Sequence, residues 1–137
     1  MSLEHINPDS MHTNPAYSQA IKVTGPHATV YVGGQNGVDS DGSLVGDDLA
    51  AQAEQAVSNV VACLEEAGAR REDTVKLDIH LVEGADVQTA FAGAQKAWGD
   101  HPTTVTVVKV AGLGVPGALV EVGAIAAIGA ARRPDLG

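Results

Sequence analysis

The chain has 137 residues and a formal net charge of −9, so its length fits one domain and its charge argues against a nucleic-acid partner. Hydrophobic residues make up 45% of the sequence, whereas aromatic residues make up only 3%. The core is therefore expected to consist of small aliphatic side chains, and additional burial between the subunits of an oligomer is favoured.

The cellular compartment is indicated by what the sequence lacks. Cys63 is the single cysteine, which excludes an intrachain disulfide. No apolar run reaches the roughly 18 residues of a membrane helix, and the N-terminus lacks the regions of a signal peptide. We therefore expect a cytoplasmic protein without a membrane partner. Cys63 itself is interpreted as a packing residue, because no basic neighbour is present to activate a thiolate.

The N-terminal third of the chain predicts two strands. Residues 1–15 contain two Asn-Pro pairs and are expected to form an irregular lead-in. Residues 17–23 and the more β-branched residues 28–33 are predicted strands. A Gly-Pro pair separates the two runs, which predicts that they form a hairpin.

A long helix follows. Asp47 or Asp48 is expected to cap it, and it runs to about Ala67, where Gly68 ends it. Apolar residues recur there at steps of three and four, and Gln52 falls outside this stripe.

The second half of the chain predicts a helix between strands. Residues 74–82 alternate as a strand, residues 86–99 are a second amphipathic helix, and residues 103–110 and 119–128 are strands. Residues 130–137 are expected to be a tail. The resulting order, ββαβαββ, predicts a single α/β domain. One mixed sheet with two helices on one face satisfies it, since a helical crossover suits a parallel pair.

Few residues suggest chemistry by themselves. The five histidines lack metal-ligand spacing, and the glycines at 33, 34 and 37 lack the lysine of a phosphate loop, so we predict neither a metal nor a cofactor. Glu121 is the only charge in an apolar run. It either faces solvent at a sheet edge or lies in a cleft, where a carboxylate suits acid–base catalysis. Tyr17 either packs in the hairpin or projects its hydroxyl into a site.

Five short motifs occur in an order that is typical of one family. They are residues 14–20 (NPAYSQA), 32–35 (VGGQ), 52–60 (QAEQAVSNV), 67–68 with 74–76 (AG and TVK), and 120–122 (VEV). From about Pro15 to Ala127 the chain resembles the YjgF/RidA family of small trimeric imine and enamine deaminases. Each motif is weak alone, but the shared order is specific.

The resemblance implies a chorismate-mutase-like fold, a homotrimer and ligand clefts between subunits. In active members of that family, water attacks an imine and ammonia is released. Carried over residue by residue, the family's tyrosine, glycine amide and glutamate are Tyr17, Gly34 and Glu121. Gln35, directly after this glycine, is expected to line the same cleft.

The family's substrate-binding arginine has no counterpart in this chain. Its position falls within residues 102–106, which carry no charge, so Thr103, Thr104, Val105 and Thr106 are expected to line the cleft instead. Lys109 is the only lysine nearby, and a lysine supplies a point charge rather than a planar fork.

Two hypotheses on function follow. The first is a Rid-family trimer that binds a small carbonyl, imine or enamine metabolite and hydrolyses it with Glu121 directing water. The alternative is a non-catalytic metabolite-binding or interaction protein on the same trimeric scaffold. A ribonuclease ranks last, because the net charge of −9 and the missing basic groove argue against it.

Overall fold

Six β-strands and two α-helices follow one another along residues 1–129, the part of the chain that this computed structural model describes. The predicted tail at 130–137 lies outside the described residues. The elements are β1 (Ser2–Ile6), β2 (Ala20–Thr24), β3 (His27–Gln35), α1 (Leu49–Glu66), β4 (Thr74–Val82), α2 (Val87–Trp98), β5 (Thr104–Val110) and β6 (Val120–Gly129).

The main sheet has four strands in the order β3-β6-β4-β5. Strands β4 and β5 are parallel, and α2 is the crossover that connects them, while β6 runs antiparallel to both β3 and β4. Helix α1 packs on α2, β6 and β3. The predicted α/β architecture, a mixed sheet with two helices on one face, is confirmed.

The N-terminal predictions need two corrections. The lead-in is not irregular throughout, because Ser2–Ile6 forms β1 and pairs antiparallel with β2 in a separate two-stranded sheet. The predicted hairpin between the next two strands is wrong: β2 pairs with β1, whereas β3 pairs with β6. Both Asn-Pro pairs lie in the loop between β1 and β2 and leave β1 intact. The backbone hydrogen bonds of β2 are therefore made with β1.

Helix α1 begins and ends as the sequence predicts. The Asp48 carboxylate accepts a hydrogen bond from the backbone N–H of Ala51 at 2.9 Å, and Gly68 follows the helix with a φ of 84°. Two side-chain predictions are wrong: Gln52 is fully buried, and Cys63 is exposed. No helix within residues 1–129 is long and apolar enough to cross a membrane.

The buried amide of Gln52 explains its place inside the fold. Its Nε2 donates to the carbonyls of Gly46 and Gly117 at 2.8 and 3.2 Å, and its Oε1 accepts from the N–H of Leu119 at 2.8 Å. A glutamine in the stripe thus ties two loops to α1, since buried backbone groups must find partners.

The two faces of the main sheet carry different side chains. We call the side covered by the helices the helix face; its buried residues are Val32, Leu77, Ile79, Leu81, Val120, Val122, Ala124 and Ala126. We call the other side the open face; its residues include Tyr31, Lys76, Asp78, His80, Val108, Glu121 and Ile125. The alternation along each strand separates the two sets.

Candidate functional site

A cavity of about 230 Å³ lies on the helix face, between α2 and the strands β4 and β5. Helix α2 packs mainly on α1, where Gly93 approaches the Ala50 carbonyl so closely that no Cβ would fit. The small side chain of Ala94 faces the cavity. We call this space the α2 cavity, and it is lined by Ala16, Tyr17, Val57, Leu77, Ile79, Phe91, Ala94, Gln95, Trp98, His101, Thr103, Val105, Val107 and Val122.

The lining of the α2 cavity is almost entirely apolar. No Asp, Glu, Lys or Arg contributes to it within the described residues. The Thr103 hydroxyl already donates to the Thr74 carbonyl at 2.8 Å, and the Gln95 amide donates to the Gly99 carbonyl at 2.9 Å. Three of the four aromatic residues of the chain, Tyr17, Phe91 and Trp98, meet here.

Tyr17 and His101 mark the mouth of the cavity, because both also line an adjoining outer pocket. The loop that carries Tyr17 is attached to the sheet through the Ser18 N–H, which donates to the Thr103 carbonyl at 3.0 Å. His101 stacks edge-on against Trp98, and its carbonyl accepts from the indole N–H at 2.8 Å. Neither the Tyr17 hydroxyl nor the His101 ring nitrogens have a hydrogen-bond partner within residues 1–129.

The outer pocket is polar. Two acidic residues, Glu72 and Asp100, line it together with His5, whose Nδ1 lies 2.7 Å from the Ser18 hydroxyl. The Arg70 guanidinium pairs with Glu72 at 3.0 Å, at a solvent-exposed position. The remaining residues of this pocket are Asn7, Asn14, Pro15 and Pro102.

Glu121 and Gly34 form a second group, on the open face. A Cβ added to Gly34 would lie only 2.6 Å from Cδ and Oε2 of Glu121, so the carboxylate rests directly on the glycine backbone. Glu121 is half-buried, lies opposite His80 in the sheet register, and makes no hydrogen bond or ion pair within residues 1–129. Gln35 is nearby in sequence, and its amide donates to the Gly33 carbonyl at 3.1 Å.

The residues of β5 are divided between the two places. Val105 and the preceding Thr103 line the α2 cavity. Thr104 and Thr106 lie on the open face, where the Thr104 hydroxyl donates to the Val75 carbonyl and Thr106 accepts from the Lys76 amine at 3.1 Å. The Lys109 amine donates to the Ala85 carbonyl instead of entering the cavity.

One chain therefore does not bring all the predicted site residues together. Tyr17, Thr103 and Val105 meet at the α2 cavity, and Gly34 meets Glu121 on the opposite side of the sheet. The sequence pattern predicted α2 only as an amphipathic helix and did not indicate that Phe91, Ala94 and Trp98 line a cavity. Two of the four aromatic residues of the chain, Phe91 and Trp98, lie in this helix, and this concentration could have pointed to an aromatic ligand pocket. No cluster of metal-ligating side chains occurs in the described part of the chain.

The chain is similar over most of its length to known proteins. Residues 8–128 match the family described as Endoribonuclease L-PSP. A RutC family protein of Pyrococcus abyssi is 33% identical over 111 residues, which cover 80% of this chain and 84% of that protein. The Rid-family protein YyfB of Yersinia pestis has a TM-score of 0.82 at 30% identity, covering 93% of this chain and 100% of that one.

A further solved structure, the YjgF gene product of E. coli, has a TM-score of 0.66 at 29% identity and covers 82% of this chain and 91% of that one. These similarities confirm the predicted chorismate-mutase-like fold class. All the predicted site residues fall inside the matched region, residues 8–128.

Proposed function

We propose a function for this chain, which belongs to the Endoribonuclease L-PSP family, also known as YjgF/RidA. The protein binds a small carbonyl, imine or enamine metabolite and hydrolyses the imine. Glu121 directs the attacking water in this proposal. The reaction adds water to the imine carbon, breaks the carbon–nitrogen bond and releases ammonia.

The observation that carries the proposal is the contact between Glu121 and Gly34. The carboxylate is half-buried and without a partner in the described residues, and it rests on a glycine backbone that has no side chain to shield it. A carboxylate held in this way accepts a proton from water, and a glycine without a side chain lets a polar ligand atom approach the backbone closely.

A second copy of the chain completes the site in this proposal. The α2 cavity with Tyr17 lies on the helix face, and Glu121 lies on the open face, so the two groups cannot act on one small ligand within one chain. The open face carries Tyr31, which is 77% exposed. A homotrimer in which the open face of one subunit meets the cavity mouth of the next accounts for both features. We place this trimer in the cytoplasm.

The experiment is a measurement of ammonia release from imines that an amino-acid or amine oxidase generates in the same vessel. We expect Glu121→Gln to lower the rate by about 10²–10⁴, the usual contribution of a general base. Glu83→Gln is the matched control, because Glu83 is an exposed carboxylate outside both groups of site residues. Equal rates for wild type and Glu121→Gln would overturn the hydrolytic proposal.

The second candidate function is a non-catalytic metabolite-binding protein on the same scaffold. The absence of charge in the cavity lining favours it, because the family's substrate-binding arginine has no counterpart there. It predicts ligand binding that Glu121→Gln leaves unchanged and no ammonia release from any imine. Ribonuclease activity is not proposed, because none of residues 1–129 contributes a Lys or Arg to the cavity lining and the chain carries a charge of −9.

A further inference from the structure

We infer that the α2 cavity selects a ligand with an apolar body and no carboxylate, such as the imine or carbonyl compound derived from an aromatic or branched aliphatic amine. This inference rests on the proposed function and narrows its substrate class. The observations that support it are the residues that line the cavity, its size and the position of its few polar groups.

The size of the cavity fits one ring with a short substituent. An apolar cavity of about 150 Å³ holds benzene, and the α2 cavity has about 230 Å³. Phe91 and Trp98 supply two aromatic surfaces, and Val105 and Val107 supply the opposite wall from β5. Aromatic rings favour the offset and edge-on contacts that such a set of side chains offers.

Among residues 1–129, a carboxylate would find no cation in the lining of this cavity. An ionised group that leaves water must be paired, or its desolvation opposes binding. Arg71 donates from Nη1 to the carbonyls of Ala97 and Trp98 at 2.9 and 3.2 Å and does not line the cavity. The Lys109 amine is held by the Ala85 carbonyl. At the mouth, Asp100 of the outer pocket opposes an anion further, whereas the charge of Glu72 is offset by Arg70 at 3.0 Å.

The unpartnered polar groups at the mouth suit a neutral head group. A phenol hydroxyl donates one hydrogen bond, and a neutral imidazole both donates and accepts one. Tyr17 and His101 can therefore hold a carbonyl oxygen or an imine nitrogen while the apolar body fills the cavity. The balanced reaction is R–CH=NH + H₂O → R–CHO + NH₃, with the water oxygen bonded to the imine carbon and the nitrogen leaving as ammonia.

Binding can be tested without turnover by two compounds of equal size. Phenylacetone is neutral, and phenylacetate carries the carboxylate. Trp98 is the only tryptophan and lines the cavity, so its fluorescence reports binding at this place, and calorimetry supplies the affinity. We expect phenylacetone to bind at least about tenfold more tightly, because only the anion loses hydration without compensation. Equal or tighter binding of phenylacetate would overturn the inference.

Two variants assign the preference to the cavity. Val105→Arg places a guanidinium in the lining and is expected to reverse the preference in favour of phenylacetate. Ala92→Arg adds the same charge at an exposed position of α2 and should leave the preference unchanged. Ala94→Phe should fill the cavity and abolish binding of both compounds. If Ala94→Phe does not fold, Val107→Phe fills the same space from the sheet. If the preference for phenylacetone persists both in Val105→Arg and in a folded variant with a filled cavity, either Ala94→Phe or Val107→Phe, the inference is wrong.

The outcome is separable from that of the proposed function. The preference for phenylacetone does not require Glu121, so Glu121→Gln should retain it. Phenylacetone binding without any ammonia release would sink the hydrolytic proposal and leave the ligand class standing. Ammonia release from the imine of phenylalanine at a rate equal to that from the imine of phenethylamine would sink the ligand class and leave hydrolysis standing.

Discussion

The two faces of the four-stranded sheet differ in what they leave incomplete. On the helix face, Leu81 and Val122 are buried within one chain, and what remains is a cavity. The open face carries charged side chains, such as Lys76 and Glu121, together with the exposed ring of Tyr31. The first face carries the core and a cavity, whereas the second carries groups that residues 1–129 leave uncovered. The core of the fold and the contact between Gly34 and Glu121 therefore belong to opposite sides of one sheet.

The largest effect is expected from a charge on the open face. Ile125 lies on β6 between Tyr31 of β3 and Lys76 of β4. In the proposed trimer Ile125→Asp would bury a carboxylate, and its desolvation costs several kcal/mol that a pairing with Lys76 does not offset. We expect monomers by light scattering. Ala62→Asp, at an exposed position of α1, should leave the trimer intact. A trimer that survives Ile125→Asp would show that the open face is free.

The next effect compares a truncation on each face. Leu81 is fully buried on the helix face, so Leu81→Ala should lower the free energy of unfolding by about 2–5 kcal/mol. Tyr31→Ala should cost little in dilute protein and more as the concentration rises, because association stabilises what it buries. Denaturant unfolding at two protein concentrations measures both. If Tyr31→Ala lowers the free energy of unfolding equally at both protein concentrations, no second subunit covers Tyr31.

A smaller effect is expected from the buried amide on the helix side. Gln52→Leu makes the interior more apolar. It also removes the oxygen that accepts from the Leu119 N–H and the amide that donates to the carbonyls of Gly46 and Gly117. An unsatisfied buried group costs about 1–3 kcal/mol, so the variant should be less stable by that amount. Thermal unfolding measures it, with Glu54→Leu at an exposed position of the same helix as the control. Unchanged or higher stability of Gln52→Leu would show that water replaces these bonds.

The smallest effect is a dependence on pH at the start of α2. The Thr89 hydroxyl, which donates to Asp86 at 2.7 Å, and then the Thr89 N–H lower the pKa of the Asp86 carboxyl. Its contribution to stability is therefore present above the ordinary aspartate value of about 3.9 and is lost as the pH falls through the lowered folded value. Asp86→Asn keeps a cap but should remove this acid sensitivity, as denaturant unfolding across that window would measure. An identical acid response in both proteins would contradict it.

Local patterns predicted most of the fold. The cap at Asp48 and the alternation of Leu77, Ile79 and Leu81 are set by neighbours in sequence, so α1 and β4 were predicted nearly to the residue. Strand β1 was missed, and β2 was paired with the wrong strand, because strand pairing is a tertiary choice that periodicity does not encode.

The candidate site was predicted only in part for the same reason. Resemblance placed Gly34 near Glu121, and the sheet register brings them into contact. The α2 cavity depends on tertiary packing, such as the close approach of Gly93 to Ala50. No motif in the sequence encodes such packing, so the pattern of residues 86–99 predicted an amphipathic helix and not the part of Phe91 and Trp98 in a cavity.

The position of β6 has a consequence for synthesis of the chain. Strand β6 is the last strand within residues 1–129, yet it lies between β3 and β4 and pairs His27 with Gly129 at one end. While the ribosome is still making the residues before Val120, both neighbouring strands lack their shared partner and present unpaired edges. Unpaired edges invite association with other nascent chains. The newly made protein should therefore depend most on chaperones just before β6 emerges.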